Sequence, residues 1–145
     1  MQVSYSAESV LDSTLPRDDL RVLLVYPNTR DVAMANLGFQ QVYSLLNKIE
    51  GVICDRFAMP VGWKPETQYL EREELRSMDL QMHPLEFDVI AFSISFEPDY
   101  LNTVLALKYF GIPVDRKERD SSFPMISAGG SAIFINPEPL AECMD

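Results

Sequence analysis

The 145-residue sequence predicts an α/β domain built on a doubly wound parallel sheet. Three observations lead to this fold class: short apolar runs without polar alternation, helical periodicity between those runs, and 47% apolar against 23% charged residues. Uninterrupted apolar runs are typical of strands buried on both faces of a parallel sheet, and the helices between them supply the crossovers. At this length, one domain with a single core is expected.

The first predicted unit runs from a strand through a loop into a helix. Residues 21–26 (RVLLVY) form an apolar run, and the Pro-Asn-Thr at residues 27–29 ends it. Apolar residues at i, i+3, i+4 and i+7 then predict the core-facing stripe of a helix. These residues are Val42, Leu45, Leu46 and Ile49. Gly51 is expected to end that helix. Residues 1–20 are polar and acidic, so we expect a flexible lead-in before a domain over residues 21–145.

Three further strands are predicted from similar apolar runs. They lie at residues 52–57 (VICDRF), 87–95 (FDVIAFSIS) and 124–128 (PMISA). Because strands and helices alternate, the four strands should pair in parallel through right-handed crossovers. We expect the strand order 2-1-3-4.

Helices are predicted between and after these strands. Pro65 suits the first turn of a helix that reaches Met78, with a weak apolar stripe. Pro98 opens another helix, which Gly111 ends. One face of this helix carries Leu101, Val104, Leu105 and Lys108. A last helix is expected at residues 139–144.

The predicted ending is unusual for this fold class. A final helix in a doubly wound sheet normally feeds another strand, and Asp145 falls where that strand would begin. We therefore expect an N-terminal piece of a longer protein whose sheet lacks its last strand here. The fourth strand would then have an unpaired edge, which favours either pairing with another chain as an edge-strand dimer or local disorder.

Charge and cysteine content exclude several classes of function. Twelve Lys and Arg against 22 Asp and Glu give a net charge of −10, which argues against binding nucleic acid or an anionic membrane surface. Cys54 and Cys143 lie far apart, so neither a disulfide framework nor a metal site is expected. No signal peptide or membrane-spanning apolar run is visible, and a cytoplasmic location is the expectation.

A ligand crevice is expected where three loops meet beyond the carboxyl ends of the strands. These loops contain Tyr26-Pro27-Asn28, residues 93–97 and residues 128–131. Ser93 and Ser95 stand two apart and point to one face, and Gly129-Gly130 allows close approach to the backbone. This composition suits a large, partly apolar cofactor with a polar tail. Alternatively, the serines are small spacers and the glycines form a tight turn.

No catalytic residue is predicted in this chain. A nucleophile with an adjacent base is missing, and so are the GxSxG, GxGxxG and P-loop motifs. His83, the only histidine, is expected to be a solvated loop residue. The residues by themselves indicate a binding domain.

Three segments resemble the N-terminal cobalamin-binding-like domain of radical S-adenosylmethionine (radical SAM) proteins. They are YPNTRDVAMANLGFQQVYSLLN (26–47), FDVIAFSISFEPDYLNTVLALKYFGIPV (87–114) and ERDSSFPMISAGGSAIFINPEPLAECMD (118–145). The most specific parts are Asn-Leu-Gly-Phe-Gln at residues 36–40 and the Gly-Gly followed by Asn-Pro-Glu-Pro-Leu at residues 136–140.

The resemblance implies a Rossmann-like, flavodoxin-like domain ahead of a catalytic barrel. That barrel would carry a four-iron, four-sulfur cluster on a CxxxCxxC motif and use S-adenosylmethionine, and it would lie beyond residue 145. The residues implied to face the corrin of cobalamin are Tyr26, Pro27, Asn28, Asn36, Leu37 and Gly38. Those implied to border its nucleotide tail are Ser93, Gly129 and Gly130, with Ser95 nearby. The partner would be the C-terminal radical SAM barrel of the same chain, and its substrate is not implied.

Two departures from the family pattern leave alternatives open. The chain has no DxHxxG loop to supply a histidine to cobalt, and Ser95 stands where a leucine is common. Cobalamin would then bind without a protein histidine on cobalt, or the domain would be a scaffold or interaction domain without a cofactor. A signalling receiver or a flavodoxin is disfavoured, because the acidic pair and the phosphate loop that they need are missing.

Overall fold

The computed structural model describes residues 18–66 and 69–145. Its strands are β1 (Leu20–Thr29), β2 (Val52–Met59), β3 (Val89–Ser93) and β4 (Met125–Gly129). Its α-helices are α1 (Arg30–Ala35), α2 (Leu37–Leu46), α3 (Asp99–Phe110) and α4 (Ser131–Ile135). Single 3-10 turns lie at Arg72–Glu74, Pro84–Glu86, Arg116–Glu118 and Glu138–Leu140. Of the predicted lead-in over residues 1–20, residues 1–17 lie outside the described residues, and β1 already begins at Leu20.

The four strands form one parallel sheet in the order β2-β1-β3-β4. This confirms the predicted α/β, Rossmann-like doubly wound fold and its strand order. The central strand β1 is buried along residues 22–27, which explains why its sequence is apolar without alternation.

One face of the sheet is packed against helix α3. Leu23, Ile90, Phe92 and Ile126 contribute to this core from the strands, and Phe110 contributes from the helix. The buried side of α3 consists of Asp99, Asn102, Thr103, Ala106, Leu107 and Phe110. The predicted face of this helix is only partly covered: Val104 and Leu105 are half-buried against this core, whereas Leu101 is 63% exposed and Lys108 is exposed. The helix ends, as predicted, at Gly111, whose φ is +76°.

The other face is covered over β1 and β2 by α1 and α2. Val22, Leu24 and Tyr26 pack there against Ala33 and Phe39. The stripe predicted to face the core instead points largely outward: Val42 is 41% exposed, Leu45 60% and Ile49 53%. Helix α2 also ends at Leu46 and not at Gly51, which has φ +80° in the turn before β2. Helical periodicity identified an apolar side of α2, but it does not show whether that side packs against the sheet.

The predicted helix over residues 65–78 is not formed in the described residues, where only the 3-10 turn Arg72–Glu74 appears. Asp55 explains why this segment follows an irregular path. Its buried carboxylate accepts hydrogen bonds from the backbone N–H groups of Asp79 (3.2 Å) and Leu80 (2.7 Å) and so fastens the segment to β2. Leu70 and Leu75 are buried in the main core.

The last predicted helix is also wrong. Instead of a helix at residues 139–144, α4 follows β4 directly and the 3-10 turn Glu138–Leu140 comes next. The edge of β4 is partly paired, contrary to expectation. The Asp145 N–H donates to the Ile126 carbonyl (2.9 Å), and its carboxylate accepts from the Ile126 N–H (2.7 Å). Arg119, whose side chain is buried, holds this end through the Cys143 carbonyl and the Asp145 carboxylate.

No helix within the described ranges combines the length and the apolar character that crossing a membrane requires.

Candidate functional site

A hollow of about 560 Å³ lies at the carboxyl ends of β3 and β4, beside helix α2. Its walls come from the loop before α2, from β3 and the residues after it, and from β4 and the start of α4. The lining residues are Leu24, Asn36, Gly38, Val42, Ala91, Phe92, Ser93, Ser95, Ser127, Ala128, Gly129, Gly130 and Ser131. Crevices at the carboxyl ends of the strands are where open α/β sheets bind ligands.

The structure brings six of the ten predicted site residues together around this hollow. They are Asn36, Gly38, Ser93, Ser95, Gly129 and Gly130. The sequence analysis missed Ser127, and it placed Ser131 in a crevice loop without naming it as a site residue. Strand alternation could have found Ser127, because it stands two residues before Gly129 in β4 and so lies on the same face of the sheet.

Asn36 joins two walls of the hollow. Its side-chain oxygen accepts a hydrogen bond from the Phe39 N–H (2.9 Å) and caps the N-terminus of α2. Its side-chain N–H donates to the Ser95 hydroxyl at 3.2 Å. The Ser95 carbonyl in turn accepts from the Ser131 hydroxyl at 3.1 Å. These bonds tie α2, the end of β3 and the start of α4 into one rim.

The two adjacent glycines have different structural roles. Gly130 has φ +108°, and a Cβ atom there would overlap the backbone carbonyl of Ile94. The close approach that this glycine permits is therefore to the protein's own chain. Gly129 has no atom within 4 Å of the position that its Cβ would occupy. Because Gly129 also lines the hollow, its missing side chain leaves room for a ligand.

The other four predicted residues do not line the hollow. Tyr26 is fully buried, with its ring edge against Phe39 at 5.5 Å between centroids, and it borders a separate cavity of about 400 Å³. Pro27 is buried. The Asn28 amide donates to the Asp99 carboxylate at 3.0 Å, and Leu37 is 81% exposed. Asn36 lines both cavities, so the two lie side by side.

Asp99 is a buried acid close to this end of the sheet. One of its carboxylate oxygens accepts hydrogen bonds from Asn28 (3.0 Å) and Asn102 (3.1 Å), and the other is buried without a partner. Burial raises the pKa of Asp99, and the two amide hydrogen bonds lower it by less. This acid holds Asn28 near the carboxyl end of β1 but does not line the larger hollow.

The larger hollow carries no charged side chain and no histidine among its described lining residues. Its polar groups are four serine hydroxyls and the Asn36 amide, which suit a neutral group with hydrogen-bonding edges. His83 borders a different cavity next to Gly111, and its Nδ1 accepts from the Leu85 N–H at 3.2 Å. The part of the chain that the structure describes holds no cluster of three or more His, Cys, Asp or Glu able to bind a metal.

Both cysteines are buried and free. Burial raises the pKa of Cys54 to about 12, and it raises the pKa of Cys143. Neither thiol is therefore suited to act as a nucleophile near neutral pH.

Comparison with known proteins identifies one family. A family model described as radical SAM proteins, N-terminal, matches residues 38–145, which is well over half of the chain. Comparisons with curated proteins and with solved structures gave no significant match.

Proposed function

Because this chain belongs to the radical SAM proteins and matches their N-terminal region, we propose that it binds cobalamin or substrate for a catalytic iron–sulfur barrel of the same polypeptide. The barrel would follow residue 145 and would carry the four-iron, four-sulfur cluster and S-adenosylmethionine.

The larger hollow is the observation that supports this proposal. It lies at the carboxyl ends of the strands and is lined by small residues, with hydroxyl groups from Ser93, Ser95 and Ser127. These side chains fit the nucleotide tail of cobalamin, whose buried end is a flat neutral heterocycle. Gly129 would leave room for the ring, and Asn36 would lie at the rim.

The corrin itself would lie over the mouth of this hollow, where no histidine is available among the described residues. Cobalamin would therefore be held without a protein histidine on cobalt. When bound, it would supply a methyl carrier or radical source to the barrel. The chain's own residues would bind and orient the cofactor and exclude water from its tail.

The direct test is retention of a corrin. Purified protein is mixed with hydroxocobalamin, desalted and examined by visible spectroscopy, and dicyanocobinamide, which lacks the nucleotide tail, is run in parallel. We expect hydroxocobalamin to be retained and cobinamide to be retained less. Equal retention would contradict tail binding in the hollow.

A scaffold without cofactor is the second candidate function. Exposed large apolar side chains close in sequence to the lining residues favour it, because such exposure marks interaction surfaces: Leu37 is 81% exposed, Phe96 60%, Phe134 92% and Ile135 76%. Retention of neither corrin would support this function. Three cysteines spaced CxxxCxxC after residue 145 would support the catalytic barrel under both proposals, and their absence would contradict it.

A further inference from the structure

Four small residues from two adjacent strands form one side of the larger hollow, which we call its floor. Ala91 and Ser93 come from β3, and Ser127 and Gly129 come from β4. Ala91 is the register partner of Ser127, and Ser93 is the register partner of Gly129. Because alternate residues of a strand share a face, the two serine hydroxyls lie diagonally across from each other on this floor.

The two floor hydroxyls differ from the two at the rim. The Ser95 hydroxyl accepts a hydrogen bond from Asn36 (3.2 Å), and the Ser131 hydroxyl donates to the Ser95 carbonyl (3.1 Å). Neither the Ser93 nor the Ser127 hydroxyl has a hydrogen-bond partner among the residues that the structure describes. Serines that act only as spacers often bond to nearby backbone. The floor hydroxyls therefore keep their full capacity to donate to and accept from a ligand.

The rest of the lining favours a neutral ligand with apolar surface. Leu24, the register partner of Ala91 in β1, is buried beside the floor, and Gly38 and Val42 of α2 face the hollow. No Lys or Arg is found among the described lining residues, and the chain has a net charge of −10, so a phosphate group is disfavoured here. A heteroaromatic base combines apolar ring faces with hydrogen-bonding atoms along its edge.

The base of cobalamin meets only part of this requirement. Dimethylbenzimidazole carries C–H and methyl groups along its outer edge, so it would displace water from the floor hydroxyls without replacing the lost hydrogen bonds. A purine such as adenine presents ring nitrogens and an amino group instead. A hydroxyl that loses water and finds no partner weakens binding by about tenfold. The floor should therefore discriminate between these two kinds of base.

We propose that the larger hollow selects a purine base, with the Ser93 and Ser127 hydroxyls as its specificity-determining groups. This inference rests on the proposed function and refines it. The preferred cofactor is a cobamide whose nucleotide tail ends in adenine, and cobalamin itself binds more weakly. A free purine nucleoside presents the same hydrogen-bonding edge and is the other source of such a base.

Affinities for two cobamides test the proposal. Hydroxocobalamin and its adenine-containing analogue are each equilibrated with the protein by dialysis, and visible absorbance gives the ratio of their dissociation constants. We expect the wild type to prefer the adenine analogue at least about tenfold, and Ser93→Ala and Ser127→Ala each to lower this ratio at least about threefold. Equal affinities in the wild type would overturn the proposal, and so would an unchanged ratio in both variants.

A matched variant and the use of ratios control this experiment. Ser44→Ala removes a hydroxyl from an exposed position of α2 that does not line the hollow, so its ratio should equal that of the wild type. The two bases differ in how readily they leave cobalt. That difference is the same for every variant and cancels when ratios are compared.

Nucleosides without a corrin separate this inference from the proposed function. Adenosine and the riboside of 5,6-dimethylbenzimidazole are titrated into the wild type and Ser127→Ala by calorimetry. Adenosine binding that Ser127→Ala weakens, without retention of either cobamide, would support the purine preference and contradict the cobalamin role. Equal affinity for both cobamides would overturn the purine preference and leave the cobalamin role intact. Binding of neither cobamides nor nucleosides would overturn both.

Discussion

The backbone of Ile94 occupies the space that a side chain on Gly130 would need. The Cβ position of Gly130 lies 2.9 Å from the Ile94 nitrogen and closer still to the Ile94 carbonyl oxygen. Glycine is therefore required at position 130 so that the end of β4 can pass the end of β3. Gly129, its neighbour, has open space at the same point and faces the hollow. Gly130 is therefore required by the fold, whereas Gly129 is a feature of the candidate site.

The first prediction compares alanine at these two positions. Gly130→Ala should lower the free energy of unfolding by about 3 kcal/mol, because it combines a positive φ with overlap on the Ile94 backbone. Gly129→Ala should change it by less than about 0.5 kcal/mol, because nothing opposes the added methyl group. Urea unfolding followed by circular dichroism measures both. Similar losses in both variants would contradict this assignment.

The second prediction concerns the anchor of the irregular segment between β2 and β3. Asp55→Ala should lower the free energy of unfolding by about 3 kcal/mol, since it leaves the N–H groups of Asp79 and Leu80 without their carboxylate. Glu118→Ala removes the same charge from an exposed site and serves as the control. Hydrogen exchange should also speed up at Asp79 and Leu80 in the Asp55 variant only. Unchanged exchange there would contradict the anchoring role.

The third prediction separates the two bonds of Asn36. Asn36→Asp keeps an oxygen that can accept from the Phe39 N–H but loses the donor to Ser95. Asn36→Ala loses both and should lower the free energy of unfolding by about 1 kcal/mol, the usual effect of a lost helix cap. Thermal unfolding should therefore rank the aspartate variant above the alanine variant. The reverse order would contradict the capping role.

The fourth prediction is a pH dependence caused by Asp99. Burial raises its pKa in the folded state, so its contribution to stability is present below the unfolded pKa and is lost as pH rises through the folded pKa. The stability of Asp99→Asn relative to the wild type should therefore increase between about pH 4 and pH 7.

Asp120→Asn is the control for this titration. Hydrogen bonds from Ser122 lower the pKa of Asp120, so its contribution to stability is present above the unfolded pKa and is lost as the pH falls through the folded pKa. The stability of this variant relative to the wild type should therefore change little between about pH 4 and pH 7. Urea unfolding at several pH values measures both variants. A difference between Asp99→Asn and the wild type that does not change with pH would contradict the prediction.

The strands were predictable because an apolar run such as residues 21–26 can be recognised without knowing what packs against it. The buried faces of the helices were not predictable in this way. In α3, Thr103 and Ala106 are buried while Leu101 is exposed, because the packing partner and not the apolarity of the residue decides which side is covered. The path of residues 69–82 depends on Asp55, a contact across more than twenty residues that local periodicity cannot show.

The candidate site was predictable to the extent that strand ends define it. Ser93 and Gly129 are register partners at the ends of adjacent parallel strands, so their proximity follows from the strand order. Tyr26 and Asn28 also lie near the carboxyl end of a strand, but their side chains do not reach the hollow. Tyr26 packs on Phe39, and Asn28 donates a hydrogen bond to the Asp99 carboxylate. Sequence position places a residue at the edge of a sheet but does not fix the direction of its side chain.

The most direct measurement of the central claim is corrin retention by Gly129→Leu beside the wild type. A leucine here should project into the hollow and narrow it without disturbing the fold, and Leu101→Ala on the opposite side of the sheet is the control. We expect the wild type and Leu101→Ala to keep hydroxocobalamin through desalting, and Gly129→Leu to bind it at least about tenfold more weakly. Equal retention by Gly129→Leu and the wild type, or no retention by the wild type, would contradict the proposed function.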